Sequence, residues 1–528
     1  MACGRGGTGE TMQGLRQKFH KPSRNTVRLL VIFAYLLLQI ALLITAANML
    51  ATRFVWFYAA CELLALFVTV RIINKKDNPA YKLAWIIPIL TLPVLGILLY
   101  FTFRRHRPSR RTERRIEEIG RRYHSAVAPV NSRVKDVAAQ DPGAGQQTRF
   151  LDKAAMAPVY GSTVTRFFPL GDDAFPVMVE ELKKAEKFIF LEYFIIAPGV
   201  MWNTVLEILR EKALQGLDVR VMYDDVGCIN TLPPDYCQQL EGMGIRACVF
   251  NKFNPFHSGA FNNRDHRKIL VIDGNVCFSG GINLADEYIN EKPRFGHWLD
   301  CALMLRGEAT RTFTAMFLSM WDYVYPMDSD YEAFLPDVEL CASLPPDGYV
   351  QPYSGDPGDT ENCGQSAYLG MITHAREYLY ITTPYLVLDD QTAGALCLAA
   401  RSGVDVRVMT PGIPDKPIVF QATRSYYPML LQAGVKIYEY SPGFVHAKCL
   451  VSDDSTAICG TINMDYRSLF LNYECAVWMY RTTAVGQIKN AFLDNQRKCR
   501  QITMNQCSRT RWYIRALRNI LRIFSPMM

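Results

Sequence analysis

The sequence predicts an α/β protein: two similar α/β/α sandwich lobes related by a pseudo-two-fold axis, with a helical membrane region before them. Three observations predict this. Residues 150–500 contain a duplication. The strand-like segments inside it are β-branched and almost continuously apolar, as in a sheet covered by helices on both faces. Three apolar runs precede it, within residues 29–103.

The chain has 528 residues, room for roughly three to four domains. It is 49% hydrophobic and 20% charged, which excludes a disordered chain, a collagen-like fibre and a small disulfide scaffold. The net charge of +8 is concentrated near the two ends, beside apolar stretches, and so points to a membrane surface before nucleic acid. The 15 cysteines form no Cys-x-x-Cys pair and several sit in apolar runs, among them Cys277, Cys301, Cys459 and Cys475. They read as small buried hydrophobes in a reducing compartment. The 8 histidines do not join them at zinc-ligand spacing.

Leu29–Thr52 carries no charge and is long enough to cross a bilayer, which takes ~20 residues. Phe54–Val70 is shorter and holds Glu62, a functional candidate because it is acidic within an apolar run. Leu83–Phe103 is the third run. Basic residues flank all three, and positive charge marks the cytoplasmic side, so three full crossings conflict. Pro88, Pro93 and Gly96 make the third run the best candidate for a kinked or re-entrant helix; alternatively the Glu62 segment lies shallow. The expected order is a basic cytoplasmic N-terminus (1–28), membrane helices (29–103), an Arg-rich connector (104–150), a first lobe (151–340), a second lobe (341–500) and a C-terminal helix (501–528). The connector starts as an Arg/Glu helix and turns Pro/Gly/Gln-rich at DPGAGQQ.

The duplication is specific. GLDVRVMYDD at 216–225 matches GVDVRVMTPG at 403–412, and DHRKILVIDGNVCFSGGIN at 265–283 matches VHAKCLVSDDSTAICGTIN at 445–463. The first copy carries ten more residues before its histidine, a Pro/Gly/Asn-rich loop (FNPFHSGAFNN) placed to cover a site.

Each copy holds a chemical constellation. The first reads His266-x-Lys268-x4-Asp273 followed by Asn283; the second reads His446-x-Lys448-x4-Asp453 followed by Asn463. In both, Asn lies 17 positions after His. His and Lys two apart on a strand share a face. Such a pair suits a phosphodiester: Lys and Asn hold non-bridging oxygens and stabilise transition-state charge. A neutral imidazole attacks phosphorus, and a protonated one donates to the leaving oxygen.

This doubled HxKxxxxD pattern resembles the phospholipase D superfamily over about 350 residues. Within it the chain is most similar to the bacterial membrane-bound cardiolipin synthases. That likeness rests on YKLAWIIPILTLPVLGILLY, VMYDDVG, SGGINLADEY, HWLD, TTPYL, GFVHAKCLVSDD, GTINMDYRSLFLNYE and the terminal RIFSPMM. The resemblance implies two phospholipase D-like lobes, a multi-pass bacterial cell-membrane protein, and His266, Lys268, Asp273, His446, Lys448 and Asp453 as the catalytic set; the basic flanks and the cysteine content place the catalytic lobes on the cytoplasmic face. It implies that His266 attacks the phosphorus of one phosphatidylglycerol and His446 protonates the departing glycerol. A second phosphatidylglycerol then takes the phosphatidyl group, giving cardiolipin; the two histidine roles could be exchanged. Lys268, Lys448, Asn283 and Asn463 would hold the phosphate.

Strand parity puts Asp273 and Asp453 on the face opposite the histidines, which marks them as mainly structural. Asp300 and Glu474, downstream in matched strands, are the expected carboxylates that orient the imidazoles. No metal and no cofactor are implied, because basic and amide groups already neutralise the phosphate. A hydrolase using water, or a transferase using another alcohol, would keep the same residues. A nucleic-acid partner is disfavoured, since no aromatic–basic strip is present. RTRWYIRALRNILRIFSPMM reads as a basic amphipathic helix lying on anionic membrane lipid, or else packed on the second lobe.

Overall fold

The structure, a computed structural model, describes residues 37–46, 49, 55–75, 78–103, 110–127, 132–252, 263–325, 327–357, 359 and 361–527. The basic stretch 1–28, the arginines at 104, 105 and 107, and most of the loop expected over the site (253–262) lie outside the described residues. The chain holds two compact units, Met1–Ala59 and Ala60–Met528.

In the first unit, the described part of the first apolar run includes a helix, Leu37–Ala46. Helix α1 (Val55–Ile73) is, among the described residues, the one helix long and apolar enough to cross a membrane. It is the Glu62 segment, formed as one continuous helix. The third run is broken in two: α2 (Pro79–Thr91), started by Asn78 as N-cap, and α3 (Pro93–Phe103). The missing N–H of Pro93 ends α2 at Leu92. Gly96 lies where any Cβ would strike the Pro88 carbonyl, which is how the halves fold close. Ala65, Val68 and Ile72 of α1 meet Trp85, Ile89 and Tyr100 in a small core, against which Met527 packs. Leu63, Leu66, Phe67, Leu83 and Leu98 face outward, an apolar exterior suited to hydrocarbon.

Helix α4 (Arg110–Val127) starts the connector and docks on the helix Thr310–Val324. Arg115 and Arg122 reach Asp328 at 2.9 and 2.7 Å, so these two arginines serve the protein fold. The DPGAGQQ stretch of the connector opens a helix. Asp141 caps the helix Pro142–Ala154, its carboxylate accepting the N–H groups of Gly143 and Ala144. Pro142 occupies the first helical position, where its missing N–H costs nothing. Gly145 permits contact with Ala138 that a Cβ would block.

The first sheet contains β1 (Thr163–Phe168), β2 (Phe188–Tyr193), β3 (Asp218–Asp224), β4 (Arg246–Phe250), β5 (Lys268–Ile272), β6 (Val276–Gly280) and β8 (Ala302–Gly307), in the order β1-β8-β6-β5-β2-β3-β4. The second contains β9 (Tyr349–Gly355), β10 (Tyr378–Thr382), β11 (Asp405–Pro411), β12 (Lys436–Tyr440), β14 (Cys449–Ser452), β15 (Thr456–Gly460), β16 (Glu474–Tyr480) and β17 (Cys499–Ile502). Its order, β9-β16-β15-β14-β10-β11-β12-β17, repeats the first and adds one edge strand. In both, three parallel strands run beside an antiparallel set. The duplication is therefore a duplication of topology.

Alternate residues of each strand feed different cores, as the two-residue period requires. Ile189 and Leu191 of β2 pack under the helices Gly171–Lys183 and Val200–Leu214, while Phe188 and Phe190 face the other way. They join a core shared by both lobes, which includes Phe317, Trp321, Tyr378, Tyr380 and Phe492. A short parallel pair, β7 (His297–Leu299) with β13 (Gly443–Val445), also crosses between lobes.

The C-terminal helix, Trp512–Phe524, packs on the helix Pro417–Ala433. Arg518 donates to Gln421 at 2.9 Å and Arg522 stacks on Tyr426. Both arginines thus turn toward the protein, while Trp512, Leu517, Ile520 and Ile523 are exposed. The outward surface combines these apolar side chains with the exposed Arg511 and Arg515.

Candidate active site

His266 and His446 sit just before β5 and β14, each followed two residues later by its lysine. Their backbones are tied to the opposite lobe. The His266 N–H donates to Tyr473 O at 2.9 Å and the His446 N–H to Leu299 O at 2.7 Å. The residues after those two carbonyls are Glu474 and Asp300. The side chains therefore pair crosswise. His266 Nδ1 lies 2.9 Å from both carboxylate oxygens of Glu474, and His446 Nδ1 lies 2.6 Å from Asp300 Oδ2. With Nδ1–H donating, Nε2 is the free nitrogen of each ring.

The lysines are fully buried. Lys268 Nζ donates to the His266 carbonyl at 2.6 Å, and Lys448 Nζ does the same to His446. The crossed His–carboxylate contacts bring the two His–Lys sets together at the junction of the lobes. Asn283 and Asn463 are buried as well. Asn283 Nδ2 donates to the Tyr288 hydroxyl at 2.8 Å, and Asn463 Nδ2 to Ser468 Oγ at 2.9 Å. Each amide keeps a second N–H, so both can donate to an anion.

Tyr288 and Ser468 went unnoticed in the sequence, although both stand five residues after their asparagine. The repeat register would have found them. Aromatic rings wall the histidines: Phe194 at 5.1 Å from His266, Tyr288 and Trp298 at 5.5 and 5.8 Å from His446. The Gly-x-x-Asn turn differs between the copies. Gly281 leaves no room for a Cβ, because Asp300 occupies the space. At the matching position Thr461 donates its hydroxyl to Glu474.

Asp273 and Asp453 lie apart from this group, at the far ends of their strands. Asp273 accepts the N–H groups of Glu186, Lys187 and Phe188, all at 2.8 Å. Asp453 accepts those of Arg376, Glu377 and Tyr378 at 2.9–3.0 Å. They clamp the starts of β2 and β10. Of the six residues the resemblance implies as catalytic, these two touch backbone only, because seven positions along a strand reverse the face and move the carboxylate one strand length away.

Burial and the neighbouring lysines push the His266 imidazole well below its ordinary range, and burial with Lys448 brings His446 to about 4. Burial also lowers Lys268 to about 7. The two carboxylates diverge. Burial raises Glu474 to about 7. Burial acts on Asp300 in the same direction, but His446, Lys448 and the Cys301 N–H outweigh it and hold this carboxyl below its ordinary value. The resting site therefore has two neutral imidazoles, one beside an ionised carboxylate. It can supply one nucleophile and one proton carrier to an anion held by ammonium and amide groups.

Residues 178–321 and 368–495 match the family described as cardiolipin synthase, PLD-like domain. Residues 63–105 match a phospholipase D-nuclease N-terminal family. The chain is 34% identical to a cardiolipin synthase of Halalkalibacterium halodurans, covering 92% of this chain and 98% of that one. It is 36% identical to a cardiolipin synthase of Geobacillus thermodenitrificans, covering 89% and 93%. An uncharacterised Streptococcus mutans protein is 41% identical over 87% of this chain and 98% of its own. Among solved structures, the phosphatidylserine synthase of Haemophilus influenzae shares the fold: TM-score 0.55, 12% identity, 72% of this chain and all of that one.

Proposed function

The chain belongs to the cardiolipin synthase family built on phospholipase D-like domains, and from that premise we propose that it joins two phosphatidylglycerols into cardiolipin and glycerol through a phosphohistidine. It is a phosphatidyltransferase associated with a membrane. The observation that carries the mechanism is the crossed pairing of His266 with Glu474 and His446 with Asp300.

His266 Nε2 attacks the phosphorus of the first phosphatidylglycerol. The bond from phosphorus to the glycerol oxygen breaks, and His446 delivers a proton to that oxygen. His446 is assigned this task because the ionised Asp300 beside it stabilises an imidazolium, whereas burial favours neutral Glu474. The incoming phosphate adds a negative charge that draws a proton onto His446. In the second half, the terminal hydroxyl of another phosphatidylglycerol gives its proton to His446 and attacks phosphorus. The phosphorus–Nε2 bond then breaks. Lys268, Lys448, Asn283 and Asn463 donate to the non-bridging oxygens in both steps.

The lobes work at the cytoplasmic face, with α1 spanning the membrane and the broken α2–α3 pair seated within it. The exposed Trp512, Leu517, Ile520 and Ile523 support contact of the C-terminal helix with the lipid surface.

Purified protein in liposomes, given labelled phosphatidylglycerol and no nucleotide, tests the reading. Glycerol release with a four-chain product is expected. Phosphatidic acid as the sole product would replace the transferase by a hydrolase. His266→Ala and His446→Ala should each abolish turnover while the protein stays folded; substantial activity in either refutes the paired roles.

A further inference from the structure

Three cysteines scattered in sequence meet behind the active site. Cys449 of β14 and Cys459 of β15 stand opposite each other in register. Cys301, the residue before β8, brings its sulfur within 3.4 Å of Cys449 Sγ and 3.8 Å of Cys459 Sγ. All three sulfurs lie within 4.8 Å of one another, and all three residues are buried. Among the described residues no fourth His, Cys, Asp or Glu joins the group.

We propose that Cys301, Cys449 and Cys459 form a trithiolate site for monovalent copper that joins the two lobes. Metal–sulfur bonds of about 2.3 Å hold three sulfurs around one ion roughly 4 Å apart, and the observed separations of 3.4 and 3.8 Å lie just inside that spacing. Thiolates select soft ions such as Cu(I). Structural zinc takes four ligands, and here the fourth would have to be water. The void beside Cys301 and Cys449 is about 20 Å³ and mostly apolar, bordered by Phe167, Leu299, Met409 and Phe492, with Thr382 and Asn495 as its polar residues. Met409 adds a polarizable thioether to the same wall. Binding releases the three thiol protons and forms three copper–sulfur bonds, with no change of oxidation state. The resulting complex carries two negative charges, and the buried Lys448 adjoins Cys449 in the chain.

The position gives the ion a consequence. Cys301 follows Asp300, and Cys449 follows Lys448. Occupancy would tie the strand carrying one catalytic carboxylate to the strand carrying the opposite lysine.

The reduced full-length protein in detergent is titrated anaerobically with Cu(I) against a chromogenic chelator. Wild type is expected to retain one equivalent more than Cys459→Ala and to show a thiolate-to-copper absorption that the variant lacks. Cys301→Ser is expected to lose the same equivalent, which guards against a folding defect in one variant. Transferase assays on each variant establish that it is folded. Equal copper retention by wild type and both variants overturns the site. Retention of zinc in preference to copper by wild type overturns the assignment of the ion.

Discussion

Asp300 of the first lobe holds His446 of the second, its Oδ2 accepting the imidazole Nδ1–H at 2.6 Å. The mirror contact joins Glu474 of the second lobe to His266 of the first at 2.9 Å. Neither lobe contains a complete histidine–carboxylate pair, so each pair exists only when the two sheets are docked. The crossing follows from backbone pairing: each histidine N–H binds the carbonyl that precedes the partner carboxylate.

Each carboxylate should therefore share its phenotype with the histidine of the other lobe. Asp300→Asn and Glu474→Gln are each expected to lower kcat by about 10³–10⁴-fold, as when an imidazole loses its orienting acceptor. In acid-quenched reactions Asp300→Asn, like His446→Ala, should keep the nucleophile and build up phosphohistidine only over long incubation, because loss of the proton carrier slows both half-reactions. Glu474→Gln, like His266→Ala, should form little. The reverse pattern would exchange the nucleophile and the proton carrier.

Acid stability separates the two carboxylates further. Glu474 titrates near 7 when folded and near 4.5 when unfolded. Between those values the folded protein binds more protons, so Glu474 contributes stability at low pH that is lost as pH rises through about 7. The difference corresponds to about 3 kcal/mol. His446 acts oppositely: its folded value of about 4 lies below 6.5, so its contribution falls as the medium is acidified through that window. Glu474→Gln removes the first effect and leaves the second. Its Tm should drop more steeply than wild type from pH 7 to pH 5, by thermal denaturation in matched buffers. Parallel curves would show that Glu474 is already ionised at pH 5.

Gly281 offers a steric test. A methyl group there runs into the Asp300 carboxylate. Gly281→Ala should displace Asp300 from His446 and reduce kcat by about 100-fold. Thr461→Ala removes one hydroxyl donor to Glu474 and leaves the space open. Its loss should be smaller, and activity per folded molecule is the measurement that ranks the two.

The aspartates of the repeated motif should behave as stability residues. Asp453→Asn weakens three N–H contacts at the start of β10 and should cost about 2 kcal/mol in urea unfolding. Activity per folded molecule should persist. Abolished turnover in a fully folded Asp453→Asn protein would place that carboxylate in the chemistry.

Much of this was legible beforehand. The duplicated pattern located both His–Lys sets, and strand parity set Asp273 and Asp453 apart from them. The helix within DPGAGQQ was not legible from its Pro and Gly content, because it depends on Asp141 and Pro142 taking the cap and first-turn positions. The amphipathic C-terminal helix was visible, but its orientation was not. Arg518 and Arg522 find partners on the helix Pro417–Ala433, and such contacts leave no trace in helical periodicity.

Local order along the chain determined the strands, their faces and the chemical character of each half, since period and residue type are properties of neighbours in sequence. Only the tertiary structure decided which carboxylate serves which histidine, and that Cys301 meets Cys449 and Cys459. Those pairings depend on how two separately patterned sheets dock. A near-symmetric sequence assigns equal patterns to both lobes and carries no mark of which residues will face each other across the junction.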